Sequence, residues 1–320
     1  MTDPVVRTAR HSVDIAADPR LVHRLLAEAT DWPELFPPTV HVERTALDPH
    51  RELLAIWALA GQEVKSWTSE RTIDPDRLTI DFVRRLSTPP VAAMSGRWEI
   101  TGRPDGGARV VLDHRFSAVD DDPEQLDWIE EATDRNSASE LAALRGIAEG
   151  HARHADLRRE FTDSVLIRAT PEEVYGYLDR ADLWPARLPH VARVELTEER
   201  PGEQVLEMDS RSPNGSVHTT RSVRIGRPPA LLAYKQTVLP AAFTVHTGSW
   251  TLTAEPGPGP VVTRATARHT VVLHPAEALA LPGVSSLDEA HAVVRRALGG
   301  NSLTTLNAAK DHLERATAAH

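Results

Sequence analysis

Short runs of alternating apolar and polar residues recur along the chain, separated by turn-forming groups such as DPDR, RPDGG and EPGPGP. A period of two predicts strands with one buried face, and short turns between consecutive strands predict antiparallel pairing. Two longer stretches carry the helical period instead. Leu126, Ile129, Leu141, Leu144 and Ile147 recur at helical spacing, as do Leu287, Val294, Leu303, Leu306 and Leu313. Thr170 before Pro171, with Glu173 three positions later, predicts the start of a shorter helix.

The order of these elements occurs twice. HSVDIAADPRLVHRLL (11–26) lies over DSVLIRATPEEVYGYL (163–178), and DWPELFPPTV (31–40) over DLWPARLPHV (182–191). MSGRWEI (94–100) lies over HTGSWTL (246–252), and NSASEL (136–141) answers NSLTTL (301–306). An ordered series with nearly constant spacing implies duplication of one whole domain. The expected division is 1–150, a linker at 151–160, and 161–320, each half an antiparallel sheet covered on one face by a long helix that closes the copy.

Composition narrows the function. The formal charge of −10 gives no broad basic surface for nucleic acid. With no cysteine there are no disulfides, thiolate nucleophiles or cysteine metal sites, which fits a cytosolic protein. No apolar run reaches the roughly 18 residues of a membrane span, so the expectation is a cytoplasmic protein with no membrane contact. The histidines form neither HExxH nor HxH, and no metal is expected.

WPELFP, WTSER and MSGRWEI, inside a strand, helix, Trp-Pro turn, sheet and closing helix, resemble the aromatase/cyclases of bacterial type II polyketide synthases. The tandem arrangement resembles their di-domain class, whose fold is the helix-grip (START or Bet v1-like) fold of class α+β. The resemblance implies ring closure, dehydration and aromatisation of a poly-β-ketone held on the phosphopantetheine arm of an acyl carrier protein. It also implies a minimal synthase and a ketoreductase as partners, a chain reduced at C9, first-ring closure between C7 and C12, and no cofactor. A homodimer stays open, since duplication either replaces one or supplies two pairing modules.

Strand alternation nominates the groups that face each cavity. In VHTTRSVRI (217–225) the apolar count puts Val217, Thr219, Arg221, Val223 and Ile225 inward, and His218, Thr220, Ser222 and Arg224 outward. The first copy places Trp67, Ser69 and Arg71 inward, followed by Phe82 and Arg84, then Met94 and Trp98. At the matching offsets the second copy has Tyr234, Gln236, His246 and Trp250, and His269 joins them from the last long strand. The second domain is therefore expected to be the main catalytic one. Arg221 would polarise a carbonyl and His246 shuttle a proton. Tyr234, Gln236, His269, Trp250 and Thr219 would line the site. The first copy, with a cavity expected to be more filled, would be mainly structural, although Arg71 and Arg84 argue against inertness. A non-catalytic carrier of lipid, quinone or polyketide, or a scaffold, is the competing reading; a carrier would have almost wholly apolar inward faces.

Overall fold

The computed structural model describes residues 4–318 except 62, 88, 212–214 and 216. The chain folds as two compact units, Met1–Ala152 and Arg153–His320.

The first unit runs β1 (Arg7–Ile15), α1 (Pro19–Ala27), α2 (Trp32–Leu35), β2 (Thr39–Ala46), β3 (Arg51–Ala60), β4 (Glu63–Asp74), β5 (Thr79–Leu86), β6 (Val91–Gly102), β7 (Ala108–Ala118) and α3 (Pro123–Glu149). A short helix, α4 (His151–Leu157), follows. The second unit repeats the order with β8 (Arg158–Ile167), α5 (Pro171–Asp179), α6 (Trp184–Arg187), β9 (Val191–Arg200), β10 (Glu203–Arg211), β11 (Val217–Arg227), β12 (Leu231–Val238), β13 (Phe243–Ala254), β14 (Thr263–Leu273), α7 (Pro275–Leu279) and α8 (Leu287–Ala318). The segment expected as a linker is thus helix α4 and the opening of β8.

Both sheets have seven antiparallel strands, in the orders β1-β7-β6-β5-β4-β3-β2 and β8-β14-β13-β12-β11-β10-β9. The first strand pairs with the last in each, so α3 lies against β1 and β7, and α8 against β8 and β14. Helix starts follow the sequence. The Asp18 carboxylate accepts from the N–H groups of Arg20 and Leu21 at 2.8 and 3.1 Å, and Thr170 and Glu173 form a reciprocal capping box. Leu141, Leu144 and Ala148 of α3 pack with Ile15, Ile100 and Leu112 of the sheet; Leu306 and Ala309 of α8 pack with Ile167, Leu252 and Ala265. Each fully buried leucine contributes about 1.5–3 kcal/mol. The start of each helix packs on the sheet as well, Leu126 and Ile129 against Val91 and Phe116, and Ala290 and Val294 against Val271 and Leu273, and a hollow opens between the sheet and the middle of the helix.

The repeat offset is not constant across the sheet. Leu54 faces Ser69 across β3–β4, whereas Leu206, 152 positions after Leu54, faces Ser222, 153 after Ser69. One residue is added between these strands and removed again before β12, where Tyr234 faces Arg224 as Phe82 faces Arg71. A one-residue slip moves every side chain of a strand to its other face. This reverses the expected facing of β11: Thr220, Ser222 and Arg224 line the hollow, while Thr219 is exposed and bonds Asp209 at 2.6 Å, and Arg221 lies on the outer face.

Candidate active site

Each hollow begins with an arginine clamp. Arg71 on β4 donates from Nη1 to the Leu26 carbonyl (2.9 Å) and from Nη2 to the Ala27 carbonyl (2.7 Å), and stands 5.0 Å over the Trp32 ring. Arg224 on β11 does the same, to Leu178 (2.7 Å) and Asp179 (3.3 Å), over Trp184 at 5.2 Å. These carbonyls end α1 and α5, so a cation there also meets the negative end of the helix dipole. Arg71 is further paired with buried Glu52, its Nε donating at 2.8 Å. The second copy has Gln204 in that place, bonded to Asp179 and Glu198 at 3.1 and 2.9 Å. Burial lowers both guanidinium pKa values, that of Arg224 to about 10. Arg71 and Arg224 tie the last turn of α1 and of α5 to the sheet, each through both of its Nη groups.

The N-terminal hollow measures about 280 Å³. Its wall carries Trp67 and Ser69 of β4, Phe82 and Arg84 of β5, Met94 and Trp98 of β6, His114 of β7, and Ser137 and Glu140 of α3. Arg84 stacks 4.7 Å over Trp67, and among the described residues no carboxylate pairs with it; burial brings it down to about 10. Desolvation drops His114 to about 4 and lifts the Glu140 carboxyl to about 7. His114 Nδ1 and Ser137 Oγ are buried without a hydrogen-bond partner among the described residues.

The C-terminal hollow measures about 130 Å³. The expectation of a more filled first copy is reversed. The Trp67 position has become Thr220, but Tyr234, His246 and His269 converge within the smaller space. Tyr234 Oη lies 2.9 Å from His269 Nδ1 and 3.5 Å from His246 Nε2, the two imidazole nitrogens are 3.1 Å apart, and His269 Nε2 lies 2.7 Å from Ser302 Oγ on α8. Burial, with His269 adding a smaller electrostatic contribution, pushes His246 down to about 3; burial takes His269 to about 4 and raises the Tyr234 phenol. All three are therefore neutral near pH 7. His246 Nδ1 and Gln236 Oε1 are buried with no partner among the described residues. Trp250 is wall, 7% exposed.

Gly248 makes this cluster possible. A Cβ there would collide with the Tyr234 phenol and the Arg268 carbonyl, and Gly96 lies just as close to the Phe82 ring. The glycine lets the aromatic ring lie flat on the neighbouring strand, so that the Tyr234 hydroxyl reaches both imidazoles.

Of the residues nominated from sequence, the structure brings Tyr234, Gln236, His246, Trp250 and His269 into one hollow, and Trp67, Ser69, Arg71 and Arg84 into the other. Thr219 and Arg221 are in neither. His218, Thr220, Ser222 and Arg224, expected outward, and Ser302 were missed as lining groups, and Glu140 was not singled out. Signals existed for three of them: Ser222-x-Arg224 repeats Ser69-x-Arg71 one residue later, and Ser302 stands in NSLTTL as Ser137 stands in NSASEL. Among the described residues no three His, Asp or Glu side chains gather as a metal site, and no helix is long and apolar enough to cross a membrane.

Comparison with known proteins agrees with this architecture. The granaticin polyketide synthase bifunctional cyclase/dehydratase of Streptomyces violaceoruber is 41% identical over 318 residues, covering 99% of this chain and 97% of that protein. The actinorhodin polyketide synthase bifunctional cyclase/dehydratase of Streptomyces coelicolor is 38% identical over 317 residues, covering 96% of each. Among solved structures, the di-domain ARO/CYC BexL from the BE-7585A biosynthetic pathway superposes with a TM-score of 0.85 at 46% identity, covering 96% of this chain and 98% of that one. The di-domain ARO/CYC StfQ from the steffimycin biosynthetic pathway gives 0.86 at 30%, covering 97% and 99%. The family described as polyketide cyclase / dehydrase and lipid transport matches at residues 7–149 and again at 158–314. The chain belongs to that family of polyketide cyclase/dehydratase enzymes, in its two-domain, helix-grip form.

Proposed function

We propose that the protein directs first-ring aldol closure, dehydration and aromatisation of a poly-β-ketone, reduced at C9 and closed between C7 and C12. The substrate arrives as a thioester on an acyl carrier protein, made by a minimal type II synthase and a ketoreductase in the same cytoplasm. One observation carries this reading: a half-open hollow whose wall holds a hydrogen-bonded tyrosine and two neutral imidazoles. Apolar side chains in the two hollows confine the chain and the ring it forms, a proximity effect. Neutral imidazole and phenol supply a base and an acid without a metal, and removal of bulk water suppresses competing closures. In this reading His246 moves the proton, Tyr234 and His269 act with it, Gln236 and Trp250 shape the hollow, and Arg224, which lines the hollow where Arg221 was expected, holds the end of α5 against it. The N-terminal hollow also takes part, since Arg84 offers guanidinium donors to an enolate or ketone oxygen there.

The test is reconstitution. Adding the purified protein to a minimal synthase and a ketoreductase should replace shunt products by one with an aromatic first ring closed C7–C12, and His246→Ala should reduce that product by about 10²-fold or more. A product spectrum unchanged by the wild-type protein would overturn the reading.

A further inference from the structure

The two hollows share a plan, down to a histidine facing the glycine of the neighbouring strand (His114 opposite Gly96, His269 opposite Gly248) and a serine on the closing helix, and differ in the groups placed around that histidine. Phe82, Met94 and Arg84 of the first stand where Tyr234, His246 and Gln236 stand in the second, and among the described residues only the second joins its groups by hydrogen bonds through to the closing helix. They also differ twofold in volume, about 280 against about 130 Å³. A cavity of about 150 Å³ is the size that takes up one benzene ring. The C-terminal hollow therefore suits a single six-membered ring better than a flexible chain that must fold back on itself.

We propose that the C-terminal hollow is a separate dehydration site, whose substrate is the six-membered β-hydroxy ketone left by ring closure, while the linear chain is bent and closed in the N-terminal hollow. This rests on the aromatase/cyclase reading and divides its steps between the domains.

The hydrogen bonds describe how the elimination proceeds. In one self-consistent set of protons His269 donates from Nε2 to Ser302, and its Nδ1 accepts from Tyr234 and from His246 Nε2. That leaves His246 Nδ1 as a buried lone pair without a partner among the described residues. Nδ1, closed off from the open space of the hollow in the free protein, is uncovered as the ring enters and takes its α-proton. The C–H electron pair becomes the new carbon–carbon double bond, and the β carbon–oxygen bond breaks. The departing hydroxyl takes the Tyr234 proton and leaves as water. The His246 Nε2 proton passes to the phenolic oxygen, directly across 3.5 Å or through His269. Each protein group ends neutral, with His246 in its other tautomer, so no imidazolium forms where burial disfavours it. Ser302 fixes the tautomer of His269, and Gly248 gives Tyr234 its place; both are positioning residues.

The experiment uses the full chain with a minimal synthase and a ketoreductase, and reads carrier-bound intermediates by mass and ring connectivity. Tyr234→Phe and His246→Met install the residues that the first hollow carries naturally, so the fold accommodates them. Each should raise, by tenfold or more, an intermediate one water heavier than the aromatic product, with the wild-type ring connectivity. Arg84→Gln should instead yield wrongly connected shunt products without that intermediate. Mixing the Arg84→Gln and Tyr234→Phe chains should restore the aromatic product, because each supplies the hollow that the other lacks. Wrong connectivity from Tyr234→Phe, or no restoration on mixing, would overturn the division. A wild-type protein that alters no product would instead remove the aromatase/cyclase reading beneath it.

Discussion

The two arginine clamps are nearly superposable in role, yet they are neutralised differently. Arg71 has a buried carboxylate partner, Glu52; Arg224 has Gln204 at that position and relies on carbonyl oxygens with the nearby Asp179 carboxylate. The hollows above them diverge further, one holding a guanidinium stacked on an indole, the other a tyrosine shared between two histidines. Duplication has kept what ties the last turn of α1 and of α5 to the sheet and changed what faces the ligand. The frame tolerates this because the lining residues project from strands whose backbone bonds do not depend on them.

The comparison can be broken most strongly at Gly248. Gly248→Ala should displace Tyr234 and lower aromatisation by about 10²-fold or more, read as product formed by the full chain in the reconstituted synthase. Gly96→Ala crowds Phe82 and should disturb ring connectivity instead. Unchanged aromatisation in Gly248→Ala would show that the Tyr234 hydroxyl has no part in it.

Next comes the clamp. Glu52→Gln leaves Arg71 buried without its carboxylate and should destabilise the first domain by about 3–5 kcal/mol. Restoring a carboxylate in the second domain by Gln204→Glu should cost less. Chemical denaturation followed domain by domain by hydrogen exchange separates the two.

Acid should then distinguish the domains. His246 at about 3 and His269 at about 4 lie below the ~6.5 of an unfolded histidine. The unfolded state therefore binds protons first as the pH falls, and stability present above about 6.5 is lost on the way down to 4, by on the order of 1 kcal/mol per histidine per pH unit. The N-terminal hollow loses stability in the same window through His114. Glu140, whose carboxyl is raised to about 7, opposes this: its cost is present above 7 and is relieved as the pH falls toward 4.5. Hydrogen exchange at pH 7 and 5 should show the second domain weakening more. Equal weakening would remove the stated contrast.

The smallest effect belongs to Arg221. On the outer face of β11, its replacement by alanine should change stability by no more than about 0.5 kcal/mol and leave the product spectrum intact. A large loss of product would return it to the site from which the register excludes it.

Much of this was legible beforehand. The repeat, the antiparallel sheets, the capping box at Thr170 and the inward facing of Tyr234, His246 and His269 all follow from periodicity, because period two and period 3.6 are local properties of a chain. Arg221 and Thr219 were misplaced for one reason. The offset of 152 was carried through a hairpin that had gained a residue, and alternation turns a single-residue error into the wrong face. Apolar counting failed there too, since Val223 and Ile225 are buried on the outer face while Ser222 and Arg224 line the hollow.

The sequence by itself determined that one module was doubled, which elements it contains and which residue types distinguish the copies. Only the tertiary structure decided that the first hollow is the larger, that both clamp arginines bond the carbonyls that end a helix, and that Tyr234, two histidines and Ser302 form one chain of hydrogen bonds. Volume and hydrogen-bond partners are set by distances between strands and helix far apart in sequence, and no local pattern encodes those distances.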